Sequence, residues 1–185
     1  MGPFYLTLMA VLLSGVAARD QVTIAALTRS QGQRFGVLAL SLTVGVLTSA
    51  AAAYAASEVL AILPPPARPI LAAIAVGLAG LESLVLSPRE NPREPTHSLG
   101  ALVIVLVAHQ LIDAARFTLF GLAVGTGAPL AAGLGGALAA LLLAGAAWMW
   151  PQAFIATGIR VARRVVGAAL LFAALIMFLG FRGIL

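Results

Sequence analysis

SGVAARDQ, residues 14–21, closes the first apolar run of the chain and puts Arg19 and Asp20 at the end of an otherwise uncharged segment. Three readings of it are open: a signal-peptide cleavage site, a loop, or a polar site inside a membrane helix. Each implies a different protein. The preceding LTLMAVLLSGVAA has the apolar core and small-residue end of a secretory signal, but MGPFY ahead of it lacks the positive charge such signals carry. Cleavage is therefore disfavoured, and the rest of the chain decides between loop and membrane.

Of the 185 residues, 62% are apolar and 9% are charged. A soluble domain carries about 25% charged residues, so a soluble fold is excluded. Apolar runs long enough to cross a bilayer recur along the whole length. The expected class is an all-α membrane protein forming a single transmembrane domain over residues 1–185. There is no cysteine, which removes disulfides, thiol catalysis and thiolate-bound metals. All eleven basic residues are arginine, and the net charge is +5. In a soluble protein that balance points to nucleic acid. Here the arginines sit at helix ends, where they set orientation, and no nucleic-acid partner is expected.

Six spans are predicted: residues 2–19 with an extension to 27, 35–62, 67–86, 99–124, 129–150 and 163–181. PPP at 64–66 stops the second. SPRENPREPTHS, residues 87–98, has three prolines and alternating charge and reads as a solvated loop. Arg29, Arg34, Arg89, Arg93, Arg160, Arg163 and Arg164 fall in the first, third and fifth connections, against Arg68 and Arg182 elsewhere outside the spans. Positive charge stays in the cytoplasm. The expectation is thus a multi-pass protein of a bacterial inner membrane, embedded in lipid, with both termini outside the cytoplasm. Trp148 and Trp150 suit the headgroup layer.

Sliding the chain along itself by 95 residues aligns Thr23 with Thr118, Leu27 with Leu122, Gly32 with Gly127, and Ala67–Arg68 with Ala162–Arg163. One offset persists from the first span to the third. It divides the chain into repeat one at about 1–87, a cytoplasmic loop at about 88–98 and repeat two at about 99–185. Three spans per repeat is an odd number, so the second copy enters the membrane upside down. Inverted repeats are a transporter arrangement, with the site at the repeat interface. GLGGALAALLLAGAA, residues 133–147, reads as a close-packing surface for neighbouring helices.

Charge at membrane depth costs at least ~2.5–3.5 kcal/mol on insertion scales, so each such residue invites a functional hypothesis. AHQLIDAARF in the fourth span spaces His109, Asp113 and Arg116 at i, i+4 and i+7, on one face of a continuous helix, with Gln110 adjoining. Asp113 is the candidate cation ligand or proton acceptor. Gln110 is a candidate neutral oxygen ligand, and His109 a candidate proton carrier beside Asp113. A lone histidine is more often a satisfied core group. The bland alternative for Asp113 is an ion pair with Arg116 or, across the repeats, with Arg19, which would only fix register. Glu82 is expected to snorkel to the cytoplasmic interface, and Glu58 to lie at the other one. No H-E-x-x-H, G-x-S-x-G or P-loop pattern occurs, and an enzyme is not expected.

Together these features resemble the Gdt-type family of calcium/manganese–proton exchangers, whose two inverted repeats each carry E-x-G-D-[KR]-[ST], usually followed by Gln. AARDQVTIAALTRSQG resembles the stretch at and after the first motif, FTLFGLAVGTGAPLAAGLGGALA the stretch after the second, and LAGLESLVLSP the end of the third helix. The resemblance implies divalent cations and protons as partners, no bound cofactor, and a metal site at the motif positions. At those positions Gly15 and Ala18 stand where the first motif has its acids, Asp20 takes the Ser/Thr place, and Gln110 replaces the second glutamate; Asp113 is retained, with Arg116 in the place of Gln. Three of the four family carboxylates are missing. Asp20 and Asp113 are balanced by Arg19 and Arg116 as charge partners, and on a continuous helix Asp20 points about 200° away from Ala18. The expected metal ligands reduce to Asp113 and Gln110, and the expected site is a degenerate one, weakened or lost. The other expectation, from a different class, is a non-transporting scaffold locked by Asp113–Arg19 or Asp20–Arg116.

Overall fold

A computed structural model describes residues 1–86 and 98–181. Among these the regular structure is entirely helical: α1 (Gly2–Gly15), α2 (Arg19–Gln31), α3 (Phe35–Ile62), α4 (Arg68–Val85), α5 (Leu99–Leu111), α6 (Ala114–Thr126), α7 (Pro129–Met149), α8 (Pro151–Ile155) and α9 (Thr157–Phe181), with a 3-10 turn at Pro65–Ala67 between α3 and α4. Four helices, α3, α4, α7 and α9, are long and apolar enough to cross a membrane alone; there are six spans if the bent pairs α1–α2 and α5–α6 each count as one. All but Ser98 of the loop expected at 87–98 lies outside the described residues.

The expected first and fourth spans are not straight. α1 and α2 meet at 59°, and α5 and α6 at 50°. The first break is made by Val16 and Ala18 in extended conformations around Ala17 at φ +56°. That left-handed region is uncommon for a residue with a Cβ. The second break is made by Ile112 and an extended Asp113, the residue type that most readily begins a helix. Its carbonyl accepts from the Arg116 and Phe117 amides, which starts α6. α6 begins and ends 95 residues after α2 does. The last span also starts earlier than expected, at Thr157.

α7 is the hub. One face approaches α1 so closely that a Cβ at Gly135 would lie 2.5 Å from the Phe4 carbonyl oxygen, while Gly133 faces Ala53 of α3 and Gly136 faces Leu119 of α6. The glycine-rich run is thus the packing surface it was read to be. α4 packs against both α6 and α9. At Gly80 an added Cβ would meet the Gly167 carbonyl of α9 at 2.8 Å. Approach at backbone distance maximises dispersion between helices, which is what holds helices together in lipid, where burial from water gives no drive.

Polarity is distributed inside out. Leu130, Ile104 and Phe172 are exposed, whereas Thr7, Ser14, Gln21, Glu82, Gln110, Asp113 and Arg163 are buried. Of the most apolar stretch of α9 only 11% is buried. A surface of large apolar side chains around a polar centre suits lipid, not water. The apolar helices and this distribution are those of a multi-pass membrane protein.

Candidate functional site

Both helix breaks point into one buried cluster. Its first half is a relay of hydrogen bonds. Gln110 Nε2 donates to Asp20 Oδ2 at 2.8 Å, and Gln110 Oε1 accepts from the Thr48 hydroxyl at 2.7 Å. Arg116 Nε donates to Thr48 Oγ1 at 2.9 Å, and its Nη2 reaches Gln110 Oε1 and the Gly45 carbonyl, each at 3.3 Å. α2, α3, α5 and α6 each contribute a side chain. Asp20 Oδ1 also accepts from the Gln21 amide at 2.8 Å, in the first turn of α2. There the exposed N–H groups and the helix dipole favour a carboxylate.

The second half is ionic and is centred on Glu82. Its Oε2 pairs with Arg163 Nη2 of α9 and accepts from the Ala114 amide, at the start of α6, at 3.3 Å. Its Oε1 faces Arg19 Nε at 3.5 Å. Arg163 Nη2 also stands 3.8 Å from Asp113 Oδ1. Asp113 in turn lies within electrostatic reach of Asp20, Glu82 and Arg116, which joins the halves. Arg19 Nη2 donates to the Ile112 carbonyl at 2.7 Å and to the His109 carbonyl at 3.5 Å, across the break that follows α5. The cluster holds three carboxylates, Asp20, Glu82 and Asp113, and three guanidinium groups, Arg19, Arg116 and Arg163, so its formal charges cancel. Cancellation is what makes such a group of charges tolerable away from water.

Several expectations are corrected. Asp113 and Arg116 do not share a face with His109 on one helix, because the helix ends between them. Neither expected lock forms as a salt bridge in contact: Arg19 pairs with Glu82, and Gln110 stands between Arg116 and Asp20, hydrogen-bonded to both. Glu82 does not snorkel to an interface; it is 6% exposed and has the two arginines as partners. Arg163 is not a connection residue, being buried at 3% exposure, while its neighbour Arg164 and the connection arginines Arg29 and Arg34 are exposed. Asp20 is not turned away from the site. Ala18 stands outside α2, so no helical rotation separates the two positions, and Asp20 aims at Gln110. Gln110 is not an open oxygen ligand, since Thr48 and Arg116 occupy its Oε1. Among the described residues no three His, Cys, Asp or Glu side chains are placed to hold a metal ion.

Gly15 and Ala18 are buried at the first break. The space over Gly15 is filled from α7: an added Cβ would stand 2.7 Å from Leu143 Cδ1. His109 is half-buried near the end of α5, with its carbonyl facing Arg19. Sequence reasoning missed Thr48, Glu82 and Arg163. For Thr48 a signal existed: Ser41, Gly45 and Thr48 follow at i, i+4 and i+7, the spacing of one helix face, and all three are buried. For Glu82 the signal was a single charge in an apolar run, and for Arg163 a place in the cluster of Arg160, Arg163 and Arg164; neither says whether the side chain turns inward or along the helix to the interface.

The protein families, curated proteins and solved structures compared with this chain give no match.

Proposed function

We propose that the chain is a transporter-like integral membrane protein of two inverted three-span repeats, related to the divalent cation–proton exchangers but with a neutralised site that moves protons or a small monovalent cation. The observation that carries this reading is the meeting of two broken helix pairs at one buried cluster of carboxylates and guanidinium groups. Broken helices at the centre of a bundle expose amide and carbonyl ends to a solute, as in known transporters. The common displacement of α2 and α6 supports the repeat, and an odd number of spans per repeat makes it inverted. Calcium and manganese want several oxygen ligands and an excess of negative charge. A cluster whose charges cancel disfavours them. Asp113 Oδ1 is buried without a hydrogen bond, and its nearest ion-pair partner is 3.8 Å away, which leaves it open to take a proton.

The test is proton flux in proteoliposomes containing a trapped pH dye, driven by a potassium diffusion potential. Wild type should conduct above empty liposomes, and Asp113→Asn should reduce flux to the empty-liposome level while keeping its thermal unfolding. Equal flux from wild type and empty liposomes would sink the transport reading. The Arg163–Glu82 pair, which ties α9 to α4, favours a second reading, a membrane scaffold locked by ions. In that case Arg163→Leu and Glu82→Leu each destabilise, and the double variant recovers much of the loss; additive losses count against the lock.

A further inference from the structure

Arg19 is held differently from the other two arginines of the cluster. Arg163 and Arg116 are almost wholly buried, whereas the Arg19 side chain is 21% exposed and enters from the first residue of α2, just past the left-handed turn at Ala17. Its guanidinium rests among three oxygens: the carbonyls of His109 and Ile112, and Glu82 Oε1. The fit is loose on the acidic side. At 3.5 Å neither Arg19 Nε nor Glu82 Oε1 has a hydrogen bond, although Glu82 is more than nine-tenths buried. Arg163 and the Ala114 amide engage only the other oxygen, Oε2.

These oxygens would form a cation site without Arg19. The end of α5 presents carbonyls with no intrahelical partner and the negative end of the helix dipole. Glu82 Oε1 adds a carboxylate oxygen that Arg163 leaves unbonded. We infer that Arg19 is a tethered cation occupying a binding site for a small guanidinium-type cation, formed by Glu82 Oε1 and the His109 and Ile112 carbonyls. A planar cation with several N–H donors matches acceptors arriving from two directions better than a spherical ion does. The inference deepens the transport reading by naming a cation class, and it rests on the junction being a solute site. Its test is binding rather than flux. Binding in a protein that carries no flux would sink the transport reading alone.

The experiment removes the tether and supplies the cation. Purified Arg19→Ala protein in detergent is unfolded thermally with increasing guanidinium chloride, kept to about 20 mM, far below denaturing concentrations. Saturable stabilisation is expected, a rise in Tm of roughly 3–6 °C at ten times the half-saturating concentration. Sodium chloride at the same concentrations should give no such rise, wild type should not respond to guanidinium, and Glu82→Gln on the Arg19→Ala background should abolish the response. Arg19→Gln, which keeps a hydrogen-bond donor near the α5 carbonyls, serves where Arg19→Ala does not fold. Absence of a saturable response in whichever variant folds overturns the inference. So does an equal response to sodium, an equal response in wild type, or persistence with Glu82→Gln. Failure of both variants to fold even with guanidinium present during extraction overturns it as well.

Discussion

The break after α5 and the break after α1 occupy corresponding places 95 residues apart and are made of opposite materials. At the first of these, Gln110 bonds Thr48 of α3 and, through it, Arg116. At the second, Gly15 stands in the place of Gln110 and Leu143 of α7 in the place of Thr48, and the leucine methyl fills the space a side chain would need. One junction is polar and wired to its neighbour; the other is sealed with hydrocarbon. Polar chemistry is thus concentrated at one of the two corresponding junctions. The acids that remain are gathered there by Asp20 crossing from the sealed junction and Glu82 from α4. Gly15 and Ala18 therefore stand in a packed arrangement and not beside a vacant space.

The largest expected effect concerns Glu82, which serves both arginines at the polar junction. Glu82→Ala should cost about 3–5 kcal/mol, because it leaves Arg163 charged and buried without its carboxylate. Glu58→Ala, at an exposed position of α3, should stay within about 0.5 kcal/mol. Thermal or denaturant unfolding of both variants in detergent checks the contrast, and similar losses would remove Glu82 from the centre of the cluster.

Gly15→Ala comes next, since it tests the sealed junction. The added Cβ runs into Leu143, and overpacking of this kind costs about 1–3 kcal/mol. Leu143→Ala in the same chain should recover much of that loss although it is itself destabilising. Simple addition of the two losses would show that the seal is elsewhere.

A smaller effect is expected from Thr48→Val, which keeps the shape and removes one hydroxyl from between Gln110 and Arg116. About 1–2 kcal/mol should be lost, the range for a buried polar partner left unsatisfied. An unchanged unfolding transition would mean that the polar junction does not need its α3 partner.

The smallest effect compares the breaks themselves. Ala17→Gly relieves a left-handed alanine but loses a buried methyl and gains unfolded-state freedom. These effects offset, and stability should remain within about 0.5 kcal/mol. Ala115→Gly, in the first turn of α6, has no strain to relieve and should cost about 1 kcal/mol. Equal losses at both positions would show that the turn at Ala17 is unstrained.

The long apolar helices were legible because their signals are local. Proline clusters at 64–66, glycine turns and apolar runs mark their ends whatever the neighbouring helices do. The two breaks were less so. SGVAARDQ and HQLIDAAR contain no proline, and a continuous helix was the natural reading of each; only the punctuation by Arg19, Asp20 and Asp113 marked where the chain departs from it. Once a helix is broken, its 3.6-residue phase restarts. That is why Asp20 faces Gln110 while a straight helix would have turned it away, and why His109, Asp113 and Arg116 do not line one face.

By itself the sequence determined that this chain is helical, apolar on its surface and polar at a few deep positions, since hydropathy and periodicity are properties of each segment alone. It also carried the offset of 95 that α2 and α6 share, because spacing is written in order along the chain. Which acid meets which arginine was decided only in the tertiary structure. A buried carboxylate takes whichever donors the packing of other helices brings near it, and Glu82 finds Arg163 across the glycine contact of α4 with α9 and Arg19 across the break at Ala17. The sequence stretch around Arg19 and Asp20 supplied two charges of the buried cluster; the bend between α1 and α2 decided that Asp20 would bind Gln110 and Arg19 the end of α5.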